Sequence, residues 1–107
     1  MGYKRELFRI ALDRTGELHR DQTVSPCDLS DLTEKGVRLK TDLPVQVGER
    51  LQLHFRLTTA CPITCTILVT RVSPPWVGAT IDSISPEDRQ NLSRFIEELN
   101  ALHMTGF

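Results

Sequence analysis

Two short stretches of the chain carry residues whose types and spacing suit the recognition of a ligand. In Lys4-Arg5-Glu6-Leu7-Phe8-Arg9, three bases and one acid leave a local excess of positive charge ahead of the first turn signal. In Asp31-Leu32-Thr33-Glu34-Lys35-Gly36, a carboxylate is followed two residues later by a hydroxyl and then by a glycine, just before a strand. Side chains two apart in an extended segment point the same way, so Asp31 and Thr33 can present an acceptor and a hydroxyl together. Gly36 permits a backbone turn that a side chain would block. The same residue types also serve plainer ends. Arg5 and Arg9 can flank a strand as surface arginines, with Glu6 paired to either for at most about 1 kcal/mol. Asp, Thr and Gly are equally what a simple turn uses.

Catalytic constellations are thin by comparison. None of the serines lies in a G-x-S-x-G elbow, and there is neither a phosphate-cradling glycine loop nor an H-E-x-x-H pair. The paired acids Glu87/Asp88 and Glu97/Glu98 fall in a helical pattern and read as cap and solvated face. His19, His54 and His103 are scattered. Cys61 and Cys65 form one CxxxC pair without the four ligands of a tetrahedral zinc site. With Cys27 they make an odd number of cysteines, which suits reduced, buried thiols better than a disulfide framework. The expectation is a chain that is not an enzyme and holds no metal or cofactor.

The elements that would position these residues follow from periodicity. Ser85-Pro86-Glu87-Asp88 supplies an N-cap hydroxyl, a proline at the first helical position and two first-turn acids, with Asp88 placed to reach back as in a capping box. Leu92, Phe95, Ile96, Leu99 and Leu102 then recur at spacings of three and four, which predicts an amphipathic helix over about 86–104, stopped by Gly106. Upstream the period falls to two. Leu51, Leu53, Phe55 and Leu57 share one strand face; Cys61, Ile63, Cys65, Ile67 and Val69 share the next, which makes the cysteines core side chains. Phe8–Leu12, Val37–Lys40 and Val77–Ile81 alternate likewise. Turns are expected at Arg14-Thr15-Gly16, Thr33–Gly36, Val47-Gly48-Glu49 and Ser73-Pro74-Pro75. Trp76, the only tryptophan, falls at a strand start, half-buried or open for stacking. Five or six short strands before one helix predict an antiparallel barrel with the helix over an open end.

Composition sets the outer limits. The 107 residues fit one domain, with 39% hydrophobic and 25% charged residues, as in a soluble globular protein. No apolar run approaches the roughly 20 residues of a membrane helix, and the start lacks the apolar stretch of a signal peptide, so membrane insertion is not expected and a cytoplasmic location is. Thirteen Lys and Arg against fourteen Asp and Glu leave a net charge of -1. That balance, with 6% aromatic residues, disfavours a nucleic-acid binder, which needs a basic surface and stacking platforms.

Taken together, the chain resembles the PilZ domains, bacterial receptor modules for cyclic di-GMP. Arg5-Glu6-Leu7-Phe8-Arg9 matches the family's R-x-x-x-R. Asp31-Leu32-Thr33-Glu34-Lys35-Gly36 matches its [D/N]-x-S-x-x-G, with threonine for serine. The stretch Val77–Arg89 is similar to the family's last strand and helix entry, so the likeness spans residues 4 to about 100.

The resemblance implies a six-stranded antiparallel barrel with a C-terminal helix: an arginine arm over 1–9, a barrel over 10–82 and a helix over 85–104, all within one domain of residues 1–107. It also implies a cyclic di-GMP site made of Arg5, Arg9, Asp31, Thr33 and Gly36. The arginines would bond phosphate or the guanine O6/N7 edge and stack on the purine. Asp31 would accept from guanine N1 and N2, and Thr33 would add a hydroxyl. The implied partners are cyclic di-GMP and an unidentified effector protein, and a homodimer is compatible. The alternative is a degenerate PilZ-like adaptor that works by protein contact without nucleotide.

Overall fold

The computed structural model describes residues 10–105, with side chains over 14–99. Six strands precede one helix: β1 Ile10–Arg20, β2 Thr23–Leu32, β3 Gly36–Thr41, β4 Arg50–Thr58, β5 Cys61–Ser73, β6 Trp76–Ile84 and α1 Pro86–Thr105. All pairings are antiparallel, and the order β1-β2-β3-β6-β5-β4 closes on itself as a barrel. The six-stranded antiparallel barrel with a C-terminal helix expected from the sequence is the fold observed.

A ring of six strands is narrow enough for its own side chains to fill. Leu18, Leu29, Leu39, Leu53, Leu57, Ile63, Ile67 and Val69 are almost fully buried inside it. Cys65 is buried there too, as its alternation predicts, and so is Cys27 of β2, whereas Cys61 is only partly buried against the core. Burial, aided by Asp28 for Cys27 and by Asp88 for Cys65, pushes both thiols up to about 12, which leaves them inert thiols. The single buried polar side chain among the described residues, Thr41, donates to the Pro26 carbonyl and accepts from Leu43 N–H, each at 3.1 Å.

The helix lies over one end of the barrel. Its buried residues Leu92 and Ile96 complete the core, with Phe95 and Leu99 packed at the margin. Ser85 Oγ accepts from Asp88 N–H at 3.1 Å, as an N-cap should. The Asp88 carboxylate, expected to reach back along the helix, instead accepts from Thr64 N–H of β5 at 3.2 Å. The acid that the capping pattern assigned to the helix therefore fastens the helix to the barrel.

Two local expectations change. Arg14-Thr15-Gly16 is not a turn but lies within β1, where Gly16 pairs with Cys27 of β2 and Phe55 of β4. The glycine is there for closeness: a Cβ would stand 2.8 Å from the His54 carbonyl oxygen and 3.0 Å from a Leu29 methyl. Strand β2 was not legible, because a bulge between Leu29 and Asp31 sends Leu29 and Leu32 inward three residues apart instead of two. The turns at Thr33–Gly36, Val47–Glu49 and Pro74-Pro75 occur as expected, the last with a cis peptide bond. In the second, Gly48 takes a φ of 93°, open to glycine at no steric cost. Arg20 holds this loop, donating to Glu49 at 2.7 Å and to the Pro44 carbonyl at 2.7 Å.

On the outer face of the β1–β4 seam the rings of His19 and His54 stack, with centroids 3.9 Å apart and planes 24° from parallel. Glu17 Oε1 lies 3.1 Å from His19 Nε2, and Gln52 Oε1 lies 3.4 Å from His54 Nε2. Burial, then the adjacent His19, holds His54 below the usual imidazole range, while Glu17 acts in the opposite direction.

These features give two expected outcomes. Gly16→Ala should lower the unfolding free energy by about 1–3 kcal/mol in urea titration, because the new methyl meets backbone that cannot swing away. An unchanged midpoint would contradict the close-approach argument. The depressed His54 means that the unfolded chain takes up the proton more readily. Its stabilising share is therefore intact above the unfolded pKa near 6.5 and declines as pH falls from there towards the folded value. Denaturation profiles from about pH 7 to about pH 5 should show wild type losing stability more steeply than His54→Gln; parallel profiles would refute this.

Candidate functional site

The site is assembled from the β2–β3 turn and the outer face of β3 and β6. Thr33 builds the turn. Its N–H donates to the Gly36 carbonyl at 2.9 Å. Its Oγ1 accepts from Gly36 N–H at 2.8 Å and from Lys35 N–H at 3.1 Å, and lies 3.3 Å from the Gly36 carbonyl as donor. Both lone pairs and the proton of the hydroxyl are thus engaged by the backbone. Ile81 N–H donates to the Lys35 carbonyl at 2.7 Å, which fastens the turn to β6. Gly36 does not have a positive φ; a Cβ there would lie 3.0 Å from the Ala79 carbonyl oxygen, so it too is a glycine of close approach.

Asp31 stands just before this turn, at the β2 bulge and opposite Arg38 of β3. Its Oδ2 is 3.7 Å from Arg38 Nη1, an ion pair longer than a hydrogen bond. The Asp31 side chain is 18% exposed and that of Arg38 is 48% exposed. Arg38 in turn stands over Trp76, its Cζ 4.0 Å from the ring centroid, and Lys40 Nζ lies 5.9 Å from the same ring. In the β3–β6–β5 ladders Arg38 faces Gly78, and Gly78 faces Arg71. The glycine leaves a hollow of about 670 Å³ lined by Arg38, Arg71, Ser73, Trp76 and neighbours. Guanidinium groups beside an aromatic ring suit a ligand that joins anionic oxygens to flat rings.

The motif residues Asp31, Thr33 and Gly36 are therefore brought together at one turn, and that turn runs straight into the hollow through Val37 and Arg38. Arg5 and Arg9 lie outside the described residues, as does Phe8. Ile10, which follows Arg9, is paired with Leu32, and Ala11 with Asp31. The start of β1 thus lies beside Asp31 and Leu32, at the entry to the Thr33–Gly36 turn.

Sequence reasoning missed Arg38, Lys40 and Arg71, and left Trp76 between burial and exposure. Only the alternation of β3 offered a signal, since it puts Arg38 and Lys40 on the face opposite Val37 and Leu39. Among the described residues, no group of three or more His, Cys, Asp or Glu side chains is arranged to hold a metal ion. No described helix is long and apolar enough to cross a membrane.

The sequence profile of the PilZ domain matches residues 3–98. The chain belongs to the PilZ domain family. Solved structures agree on the PilZ fold. The PilZ domain with c-di-GMP of YcgR from Escherichia coli is 18% identical, with a TM-score of 0.75 over 97% of this chain and 98% of that one. YcgR in complex with c-di-GMP from Escherichia coli is 20% identical, with a TM-score of 0.77 over 96% of this chain and 49% of that one. The Bacillus subtilis inhibitor of motility (MotI/DgrA) is 17% identical, with a TM-score of 0.79 over 92% of this chain and 52% of that one. The PilZ chain described here thus spans about half the length of the last two. No curated protein sequence matches it.

The turn chemistry gives a direct expectation. Thr33→Val removes the acceptor for two backbone N–H groups and should cost about 1 kcal/mol of stability in urea titration, whereas Thr33→Ser should be close to silent. Equal midpoints for the valine variant and wild type would show that the hydroxyl does not hold the turn.

Proposed function

We propose that this PilZ domain is a receptor for cyclic di-GMP that passes the signal to an effector protein. The observation that carries the reading is the Asp31–Gly36 turn opening onto the Arg38–Trp76 hollow, with Ile10 and Ala11 at the start of β1 paired beside it. Two solved structures of one PilZ relative of the same fold, YcgR from Escherichia coli, hold this ligand. In the proposed complex, Arg5 and Arg9 bring two guanidinium forks to phosphate and to the guanine O6/N7 edge. Asp31 accepts from guanine N1 and N2. Thr33 and Gly36 shape the turn that carries Asp31, the hydroxyl acting through the backbone it binds. Lys40 and Arg71 add positive charge around the hollow. Ordering of the arginine arm on the ligand changes the surface offered to the effector. The protein then works by binding, not by catalysis, and in the cytoplasm.

One observation favours the second reading, an adaptor that needs no nucleotide: the Thr33 hydroxyl is already committed to the turn.

Calorimetric titration with cyclic di-GMP separates the two. The receptor reading expects saturable heat and a raised melting temperature for wild type, and a loss of affinity of at least about tenfold for both Arg9→Ala and Asp31→Ala. No heat and no thermal shift at millimolar ligand would overturn it and leave the adaptor.

A further inference from the structure

The hollow beside the turn contains a layered contact that neither motif includes. Arg38 Cζ stands 4.0 Å from the centroid of the Trp76 ring, against 5.9 Å for Lys40 Nζ on the same outer face of β3. At the shorter distance a guanidinium is in van der Waals contact with the indole, where cation–π attraction acts at close range. The Asp31 carboxylate, 3.7 Å from Nη1, restrains the same guanidinium from the side. With indole behind it and carboxylate beside it, Arg38 still leaves 48% of its side chain open to solvent. Next to it in the ladder, Gly78 contributes no side chain, so the space beyond Arg38 is open as far as Arg71. A planar cation backed by an aromatic ring on one side and open on the other is a seat for a second flat π system.

We infer that Arg38 is the base platform of this site. The inference rests on the receptor reading and deepens it: one guanine of cyclic di-GMP stacks on the outward side of the Arg38 guanidinium, giving a guanine–Arg38–Trp76 layer, and Arg71 faces the adjoining phosphate across Gly78. A fused purine covers the guanidinium more fully than a single-ring pyrimidine, so the platform selects for purine. Arg38 has a second task, because its pairing with Asp31 positions the carboxylate that reads the edge of a guanine. Stacking and pairing ask different things of the side chain. A lysine keeps the charge and can keep the pairing with Asp31, but it has no plane to stack on.

The test is calorimetric titration of wild type, Arg38→Lys and Arg38→Ala with cyclic di-GMP, with Trp76 emission followed in parallel. As the only tryptophan of the chain, Trp76 reports on its own layer. The melting temperature of each ligand-free variant checks its fold. The platform expects wild-type binding to change Trp76 emission, and both substitutions to weaken binding by about tenfold or more, the lysine nearly as much as the alanine. A lysine variant as tight as wild type would overturn the platform, since charge alone would then suffice. Wild-type heat with flat Trp76 emission would overturn it too, in both cases leaving the receptor reading intact. Absence of heat with wild type overturns both.

Discussion

The approach of β1 to β4 is the constraint on which the remainder of the molecule depends. Five of the six pairings lay all six strands side by side in an open sheet, but the ring closes only where Gly16 to His19 pair with Phe55 to Gln52. Any side chain at Gly16 would meet the His54 carbonyl before the ladder could form. Closure turns the inward residues of all six strands into one apolar filling, and it leaves an end that Leu92 and Ile96 of α1 cover. It also fixes the ends of β1, which is how the chain just after Arg9 comes to lie beside the residues that lead into Thr33.

The elements that could be read from the sequence were those whose signals are local and uninterrupted. Strand β4 alternates from Leu51 to Leu57 and β5 from Ile63 to Val69, and the helix announces itself through Ser85-Pro86 and a three-four apolar spacing. What failed did so for identifiable reasons. A bulge at Ser30 breaks the period of β2, and Gly16 imitates a turn because glycine serves both tight turns and tight contacts. The site divides in the same way. Asp31, Thr33 and Gly36 are contiguous and were legible as a pattern. Arg38, Trp76 and Arg71 are neighbours only because β3 pairs with β6 and β6 with β5, and no property of the three segments taken singly announces it.

The structure also redistributes the work among the legible residues. The Thr33 hydroxyl spends its hydrogen-bonding capacity on the backbone of its own turn, so the hydroxyl of the motif is first of all an architectural group. Asp31, by contrast, is held at the bulge with an arginine beside it. The residue at the bulge is turned out of strict alternation, which is how a carboxylate can stand at the rim of a barrel whose adjacent positions, Leu29 and Leu32, point inward.

A sheet that closes on itself has a consequence for how other proteins can engage it. Open sheets recruit peptides by lending the unpaired N–H and C=O groups of an outer strand, a backbone grammar that is indifferent to most side chains. Here every strand has a neighbour on both flanks, so that mode of capture is closed, along with the edge-to-edge stacking that drives many β-proteins into fibrils. A protein that docks on this barrel must read its side chains and their charges, and such a surface is one that a small bound molecule can rewrite.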